Sequence, residues 1–345
     1  MNQVHQLSQV FRAEDAMARA IECATYGLGK TFPNPIVGAV ITSATGEFIS
    51  EGFHQGTDHA EVLAIRGAKE IPAGSIIYIT LEPCNHHGKT PPCVDAIIES
   101  GISEVVYAVS DPNPLAAGGA ERLRGAGIKV ISGTAEVQAR HENRAWLTKI
   151  EKNRPRITWK IASTMDGKVA ATDGSSKWIT GELARADVAK IRSQSDAIVT
   201  STATVIADDP LLTSKGLGKN PVRIVLGKTE IKSNSQILGT DAETVLIKSH
   251  DFSDLISLAN DRGFNQLLIE SGPTFGTAML VADLIDEIIL FQAPTFLGAG
   301  KPSIGDLGIS NISGRLDFEI SDVEVIGADL KITLLKSAKS EEGGL

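Results

Sequence analysis

Five residues constrain this chain more than any bulk property does: His59, Glu61 two positions later, the pair Pro83-Cys84, and a second cysteine, Cys93. One imidazole and two thiolates are ligands of the kind zinc takes. Three protein ligands leave the fourth tetrahedral position open, whereas a closed structural site holds four. His59 is expected to open one helix, and Cys84 and Cys93 flank a loop whose Pro91 and Pro92 lead into another. Such a site requires the ends of separate elements to meet. The partial positive charge of a helix N-terminus favours the thiolate form that a metal needs. Any one of these residues alone reads as a chance histidine or a core cysteine; together they read as a metal site.

Glu61 supplies the second half of the argument, a carboxylate able to exchange protons with water at the open position. A His-x-Glu with a later Pro-Cys and second Cys is the signature of zinc-dependent base deaminases, in which the Glu is acid and base but not a ligand. The gap from Cys84 to Cys93 is wider than the Cys-x-x-Cys of that signature, which points to a subfamily. A net charge of -9 argues against a polynucleotide substrate, since a polyanion-binding face needs a basic stripe. It leaves room only for a local patch.

At 345 residues the chain is long for a single core, and two domains are expected. A hydrophobic share of 42% and a charged share of 22% describe an ordinary globular protein. Apolar runs such as 284–291 are short and carry Asp286 and Glu287, so no membrane span is expected. The first ten residues lack a basic start and apolar block, and a cytoplasmic location is the default expectation. Of three cysteines, Cys23 lies in an apolar helical stretch as a small core residue. No disulfide framework is left, as fits a reducing compartment.

From residue 13 to 130 helical and strand patterns alternate, an α/β three-layer pattern. The expected elements are helices at 14–26, from about 59, at 94–100 and 119–126, with strands at 37–42, 48–52, 76–81, 104–109 and 128–131. One helix is then expected from about 135 to 151. It runs into Asn153, Arg154 and Pro155, where proline ends helical continuation. The boundary is set there, giving domains 1–150 and 151–345. The second half alternates again, with strands at 156–162, 197–200, 222–226, 244–248 and 266–270, helices at 183–192, after 251 and after 273, and β-rich segments near 287–293 and 323–335. The small, charged tail from 337 is expected to be disordered.

The block TLEPCNHHGKTPPC from Thr80, with PNPIVGAV from Pro33 and SDPNP from Ser110, resembles the deaminase domain of the bifunctional riboflavin biosynthesis family RibD. KIASTMDGKVA from Lys160, SKWITG from Ser176, ATVIADDP from Ala203 and ESGPTFG from Glu270 resemble the same family's reductase domain. The wide cysteine gap is the family's own spacing. The resemblance implies a cytidine-deaminase-like α/β/α domain followed by a dihydrofolate-reductase-like α/β domain. It further implies zinc and NADPH as cofactors, a phosphorylated pyrimidine as substrate, no nucleic-acid or membrane partner, and a homo-oligomer.

Carried over residue by residue, the resemblance makes His59, Cys84 and Cys93 the metal ligands and Glu61 the proton shuttle. It makes Asn34, His54, His86, Lys89, Thr90, Asp111 and Asn113 substrate contacts, with Lys89 a phosphate partner. Asn34 also reads as a turn residue before Pro35, and His86 as a surface loop residue. The stretch from His54 to His59 is shorter than the family's usual loop.

The second half carries no Gly-x-Gly-x-x-Gly after a strand, so a dinucleotide fingerprint is absent. Gly272 and Gly276 after Glu270 read either as a plain structural turn or as backbone that approaches a phosphate at a helix start. The resemblance implies NADPH contacts from Ala162, Trp178, Thr204, Asp208, Gly272, Pro273, Thr274, Phe275, Gly276, Thr277 and Ala278. It implies substrate contacts from Ser176, Arg192, Leu212, Lys215 and Glu270. Trp178 also reads as core, and Asp208 as a helix-end residue. Lys215 stands where the family carries arginine, replacing a bidentate grip by a point charge. Gly227-Lys228 stands where it shows Asp-Ser, and Lys228 receives no role. Two rivals remain: a base deaminase whose second half only binds a ligand, and a non-catalytic zinc-stabilised binding protein. SKWITG and ESGPTFG argue against the first, and Glu61 against the second.

Overall fold

The computed structural model describes residues 10–86 and 91–337. The chain divides between Asn153 and Arg154 into two compact units.

In the first unit, α1 (Ala13–Thr25) buries Ala16, Met17, Ala20, Cys23 and Ala24, one face at helical spacing. It covers a five-stranded sheet of β1 (Gly38–Thr42), β2 (Phe48–Phe53), β3 (Ile76–Leu81), β4 (Glu104–Val109) and β5 (Lys129–Ser132), in the order β2-β1-β3-β4-β5. β1 runs antiparallel to β2 and β3, and β3, β4 and β5 are parallel. β1 is buried at every position, as expected of a strand covered on both faces. The other helices are α2 (Ala60–Gly67), α3 (Cys93–Glu99), α4 (Gly119–Gly125), α5 (Glu136–Glu142) and α6 (Arg144–Lys152). α2 packs so tightly on β2 that a Cβ at Gly52 would sit 2.5 Å from the Ala60 carbonyl oxygen. That contact sets the depth of the helix that begins beside His59.

The single helix expected from 135 to 151 is two, α5 and α6, parted at Asn143. The side chain of Asn143 causes the break: its Oδ1 accepts from the Ile36 N–H at 3.2 Å and its Nδ2 donates to the Ile36 carbonyl at 3.1 Å. Such local competition with the helix ladder is what asparagine offers.

The second unit is built on an eight-stranded sheet. Its strands are β6 (Arg156–Thr164), β8 (Ala197–Ser201), β9 (Val222–Leu226), β10 (Thr244–Ile247), β11 (Gln266–Ile269), β12 (Glu287–Ala293), β14 (Phe318–Ile326) and β15 (Asp329–Lys336), in the order β10-β9-β8-β11-β6-β12-β15-β14. Pairing is parallel from β10 through β12 and antiparallel beyond. A short ladder joins β7 (Lys168–Ala170) to β13 (Lys301–Pro302). The helices are α7 (Glu182–Ser193), α8 (Thr202–Asp208), α9 (Phe252–Asp261) and α10 (Pro273–Val281). Sequence periodicity gives no sign of α8, which Ser201 starts by accepting from the Thr204 N–H. Among the described residues no helix is long and apolar enough to cross a membrane.

Candidate functional site

In the first unit three element ends converge. His59 precedes α2 in extended conformation, Cys84 follows β3, and Cys93 is the first residue of α3. The ligand atoms of His59, Cys84 and Cys93 all lie within 4.8 Å of one another. His59 Nδ1 is 3.1 Å from Cys93 Sγ and 3.6 Å from Cys84 Sγ. Tetrahedral zinc bonds of about 2.0–2.3 Å put neighbouring donors roughly 3.5 Å apart, so donor chemistry and spacing both fit a zinc ion. The Cys93 N–H donates to Cys84 Sγ at 3.4 Å. Hydrogen bonding from Cys93 and His59 holds the Cys84 thiol well below its usual range, against the cost of burial. A ligating sulfur must lose its proton, and these surroundings favour that at Cys84, while hydrogen bonding to Cys84 and burial push the Cys93 thiol up.

Glu61 lies in the first turn of α2 with only 4% of its surface exposed. Burial, and then the charge on Cys84, push its carboxyl up to about 7. A carboxyl poised there both takes and returns protons near neutral pH. His54 is also buried, its ring centroid 5.2 Å from that of His59 and its Nε2 3.4 Å from Nδ2 of the exposed Asn34. Burial and then the nearby His59 lower its pKa to about 4, which keeps the imidazole neutral. The short loop between His54 and His59 therefore still brings the two rings together.

Asp111 sits half-buried after β4, and burial pushes its carboxyl up to about 6. Its Oδ1 accepts from the Asn113 N–H at 2.8 Å. Sequence reasoning missed Glu82, a buried carboxylate between β3 and Cys84 that accepts from the N–H groups of Asp111 at 3.3 Å and Ala120 at 3.0 Å. An acidic residue directly before Pro-Cys at the end of an apolar strand was the available signal. His86 is exposed. Lys89 and Thr90 lie outside the described residues.

The second unit gathers charge rather than soft ligands. Glu270, just past β11, is gripped by Arg192 of α7, with Nε to Oε1 at 2.5 Å and Nη2 to Oε2 at 2.8 Å. Arg192 Nη1 donates to the Thr213 carbonyl at 3.1 Å. Burial would raise the Glu270 pKa, but Arg192 and Lys160 outweigh it and hold the carboxyl below its usual value, with Lys215 adding to the pull. Lys160 was missed as well. It lies in the middle of β6 between Trp159 and Ile161, its pKa lowered by burial and sustained by Glu270.

The remaining expected residues divide. Thr204 Oγ1 lies 3.1 Å from Ser271 Oγ and accepts from the Gly272 N–H at 3.2 Å, so α8 and the start of α10 meet through hydroxyls. A Cβ at Gly276 would lie 2.1 Å from the Trp159 ring, so that glycine is explained by packing of α10 on β6. Pro273 and Thr277 are buried too, whereas Thr274 and Ala278 are exposed and Phe275 is half-buried. The Leu212 side chain belongs to a core cluster with Ile198, Val205 and Leu268, which leaves its main chain as the part able to meet a ligand. Trp178 is not core: it is 70% exposed with the Arg185 guanidinium 4.8 Å above its ring. Asp208 is exposed at the end of α8, and its carbonyl accepts from Lys177 at 3.3 Å. Ala162 and Ser176 are half-buried, and Lys215 is exposed.

Residues 11–109 match the cytidine and deoxycytidylate deaminase zinc-binding region, and residues 155–332 match the RibD C-terminal domain. The chain is 42% identical over 337 residues to riboflavin biosynthesis protein RibD of Mycobacterium tuberculosis, covering 95% of this chain and 99% of that one. Identity to the RibD of Aquifex aeolicus is 39% over 344 residues, covering 92% and 96%. A solved diaminohydroxyphosphoribosylaminopyrimidine deaminase/5-amino-6-(5-phosphoribosylamino)uracil reductase from Thermotoga maritima superposes with a TM-score of 0.87 at 34% identity, covering 94% of this chain and 99% of that one. The RibD of Acinetobacter baumannii gives a TM-score of 0.87 at 35% identity with the same coverage. Both halves thus match in sequence and in fold along nearly the whole length, and the chain belongs to the RibD family of riboflavin biosynthesis proteins.

Proposed function

We propose that this chain is a bifunctional enzyme of riboflavin biosynthesis. Residues 1–150 deaminate 2,5-diamino-6-(5-phosphoribosylamino)pyrimidin-4(3H)-one to 5-amino-6-(5-phosphoribosylamino)uracil, and residues 151–345 reduce the ribosyl group of that product to ribityl. The observation that carries the reading is the convergence of His59, Cys84 and Cys93 beside the buried Glu61.

In the first unit His59, Cys84 and Cys93 hold zinc, which when bound acts as a Lewis acid and brings the pKa of water toward ~7. Glu61 takes a proton from the attacking water and returns it to the departing amino group, so water enters and ammonia leaves with the carboxylate regenerated. The neutral His54 and the amide of Asn34 face the same site and offer hydrogen bonds to the pyrimidine edge. Asp111 and Asn113, on the loop anchored by Glu82, border it from β4.

In the second unit NADPH supplies the hydride, and the protein's task is alignment. Thr204, Asp208, Trp178, Ala162 and the start of α10 from Gly272 hold the cofactor. Arg192, Lys215, Ser176, the main chain at Leu212 and Glu270 hold the ribosyl phosphate end. Lys160 keeps Glu270 ionised beside them. We place the enzyme in the cytoplasm as a homo-oligomer, a reading supported by the family resemblance and by a cysteine count too small for a disulfide framework once Cys84 and Cys93 hold the metal.

The test is to supply the diamino substrate with and without NADPH and to follow ammonia and cofactor separately. Ammonia release without cofactor, then NADPH oxidation once it is added, is expected. Consumption of NADPH with no prior ammonia would refute the order.

A further inference from the structure

Arg223 lies within β9 and is fully buried. Among the described residues no carboxylate is directly paired with it, Asp241 acting on its charge from farther away, and its Nε has no partner. Its terminal nitrogens are spent on carbonyls instead: Nη1 donates to Leu211 at 3.2 Å, and Nη2 donates to Gly239 and Ala242, each at 2.5 Å. A buried guanidinium without a counter-ion is costly. What it holds in exchange are two places: the Leu211 carbonyl, inside the segment from Asp209 to Lys215, and the Gly239 and Ala242 carbonyls ahead of β10.

That segment is held in a disfavoured shape. Asp209, Leu212 and Lys215 are non-glycine residues in the left-handed region, at φ 42°, 50° and 52°. Such conformations persist only where the surroundings over-determine them. Here Arg223 holds the Leu211 carbonyl and Arg192 the Thr213 carbonyl, on either side of Leu212, whose side chain is anchored in the core. Asn220 fixes Ser214 by accepting from its N–H at 2.9 Å and its hydroxyl at 2.8 Å. The result is a stiff segment that ends at Lys215, among the charges around Glu270.

We propose that Arg223 is a positioning residue for the reductase substrate: from inside the sheet it fixes the 209–215 segment, and so sets where Lys215 and the Leu212 main chain meet the ribosyl phosphate. The proposal rests on the reading that this segment faces the substrate. Small misplacements of such groups cost up to about a hundredfold in rate, and where the groups grip the phosphate away from the reacting carbon the loss falls mainly on KM.

The experiment uses the full zinc-loaded chain and compares Arg223→Met, which keeps an apolar stem but no donors, with Arg223→Lys, which keeps the charge but cannot span three carbonyls. KM and kcat for the deaminated ribosyl substrate, NADPH affinity by fluorescence titration, and ammonia release are measured on the same preparations. In Arg223→Met the substrate KM is expected to rise at least about tenfold, with NADPH affinity and ammonia release unchanged and kcat reduced less than KM is raised. Arg223→Lys should fall between. An unchanged KM, or loss of NADPH and substrate binding together, including by misfolding of the second unit, overturns the proposal. Lys215→Ala separates the two layers. If it leaves KM unchanged, the reading of the segment fails; if it raises KM while Arg223→Met does not, only the positioning role fails.

Discussion

The two sites are built on opposite principles. In the first unit three ligand atoms and a carboxylate come from element ends packed against a buried sheet, and one geometry serves the chemistry. In the second unit a carboxylate sits among three cations, Arg192, Lys160 and Lys215, and part of the wall is a strained segment held from behind. A metal site is specified by donor type and distance, so a handful of residues suffices. A hydride-transfer site is specified by shape, which many backbone groups share.

The contrast is sharpest when one site is removed and the other watched. Glu61→Ala should keep zinc, because Glu61 is not a ligand, and lower ammonia release by about 10²–10⁴-fold. NADPH oxidation of already deaminated substrate should not change. Metal analysis beside both assays checks this, and normal ammonia release would end the shuttle role. Removing zinc with a chelator should give the same one-sided loss.

Glu270→Gln takes the charge from between Arg192 and Lys160 and should slow NADPH oxidation by about tenfold or more, since a buried charge is left without its partner. Asp208→Ala should act on the same reaction through the cofactor. Ammonia release reports on both variants, and equal loss of the two activities would break the separation of the sites.

A smaller effect tests packing alone. Gly276→Ala drives a methyl group into the Trp159 ring and should destabilise the second unit by about 1–3 kcal/mol, leaving the first unit's unfolding transition where it was. Calorimetry that showed no shift would end the packing account of Gly276.

The smallest effect is a pH dependence. Burial raises the Asp111 carboxyl to about 6 in the folded state, above the ~3.9 of an unfolded chain. The native state binds more proton between these values, so stability falls as pH rises through that window and levels off above it. Because the group is partly exposed, the slope is worth about 1 kcal/mol. Asp111→Asn should flatten it, as read from denaturant melts of both proteins at matched pH.

Much of the candidate first site was legible in the sequence because its chemistry is carried by residue type: a histidine and two of the chain's three cysteines at such spacing are a donor set that zinc takes. The strand over Glu104–Val109 was legible for a local reason, a valine-rich apolar run from Val105 to Val109. What escaped depends on partners distant in sequence. The role of Glu82 shows only in the N–H groups it anchors, and that of Lys160 only beside Glu270, just past a neighbouring strand. α8 carries just two buried residues, Thr202 and Val205, too few for a periodic signal. For Leu212 the sequence does not say which part would meet a ligand; with its positive φ and its side chain in the core, the main chain is left. Side-chain direction is set by the backbone, and the backbone here by arginines that no local pattern announces.

The clasp between Asn143 and Ile36 has a practical bearing on how this chain can be cut. One amide reaches across 107 positions to mimic a neighbouring strand, engaging both main-chain groups of a residue two places after Asn34. The pair of helices at the end of the first unit is therefore no spacer between modules. A deaminase fragment trimmed before Asn143 would keep every zinc ligand and its proton carrier, yet surrender the brace behind the turn that carries Asn34.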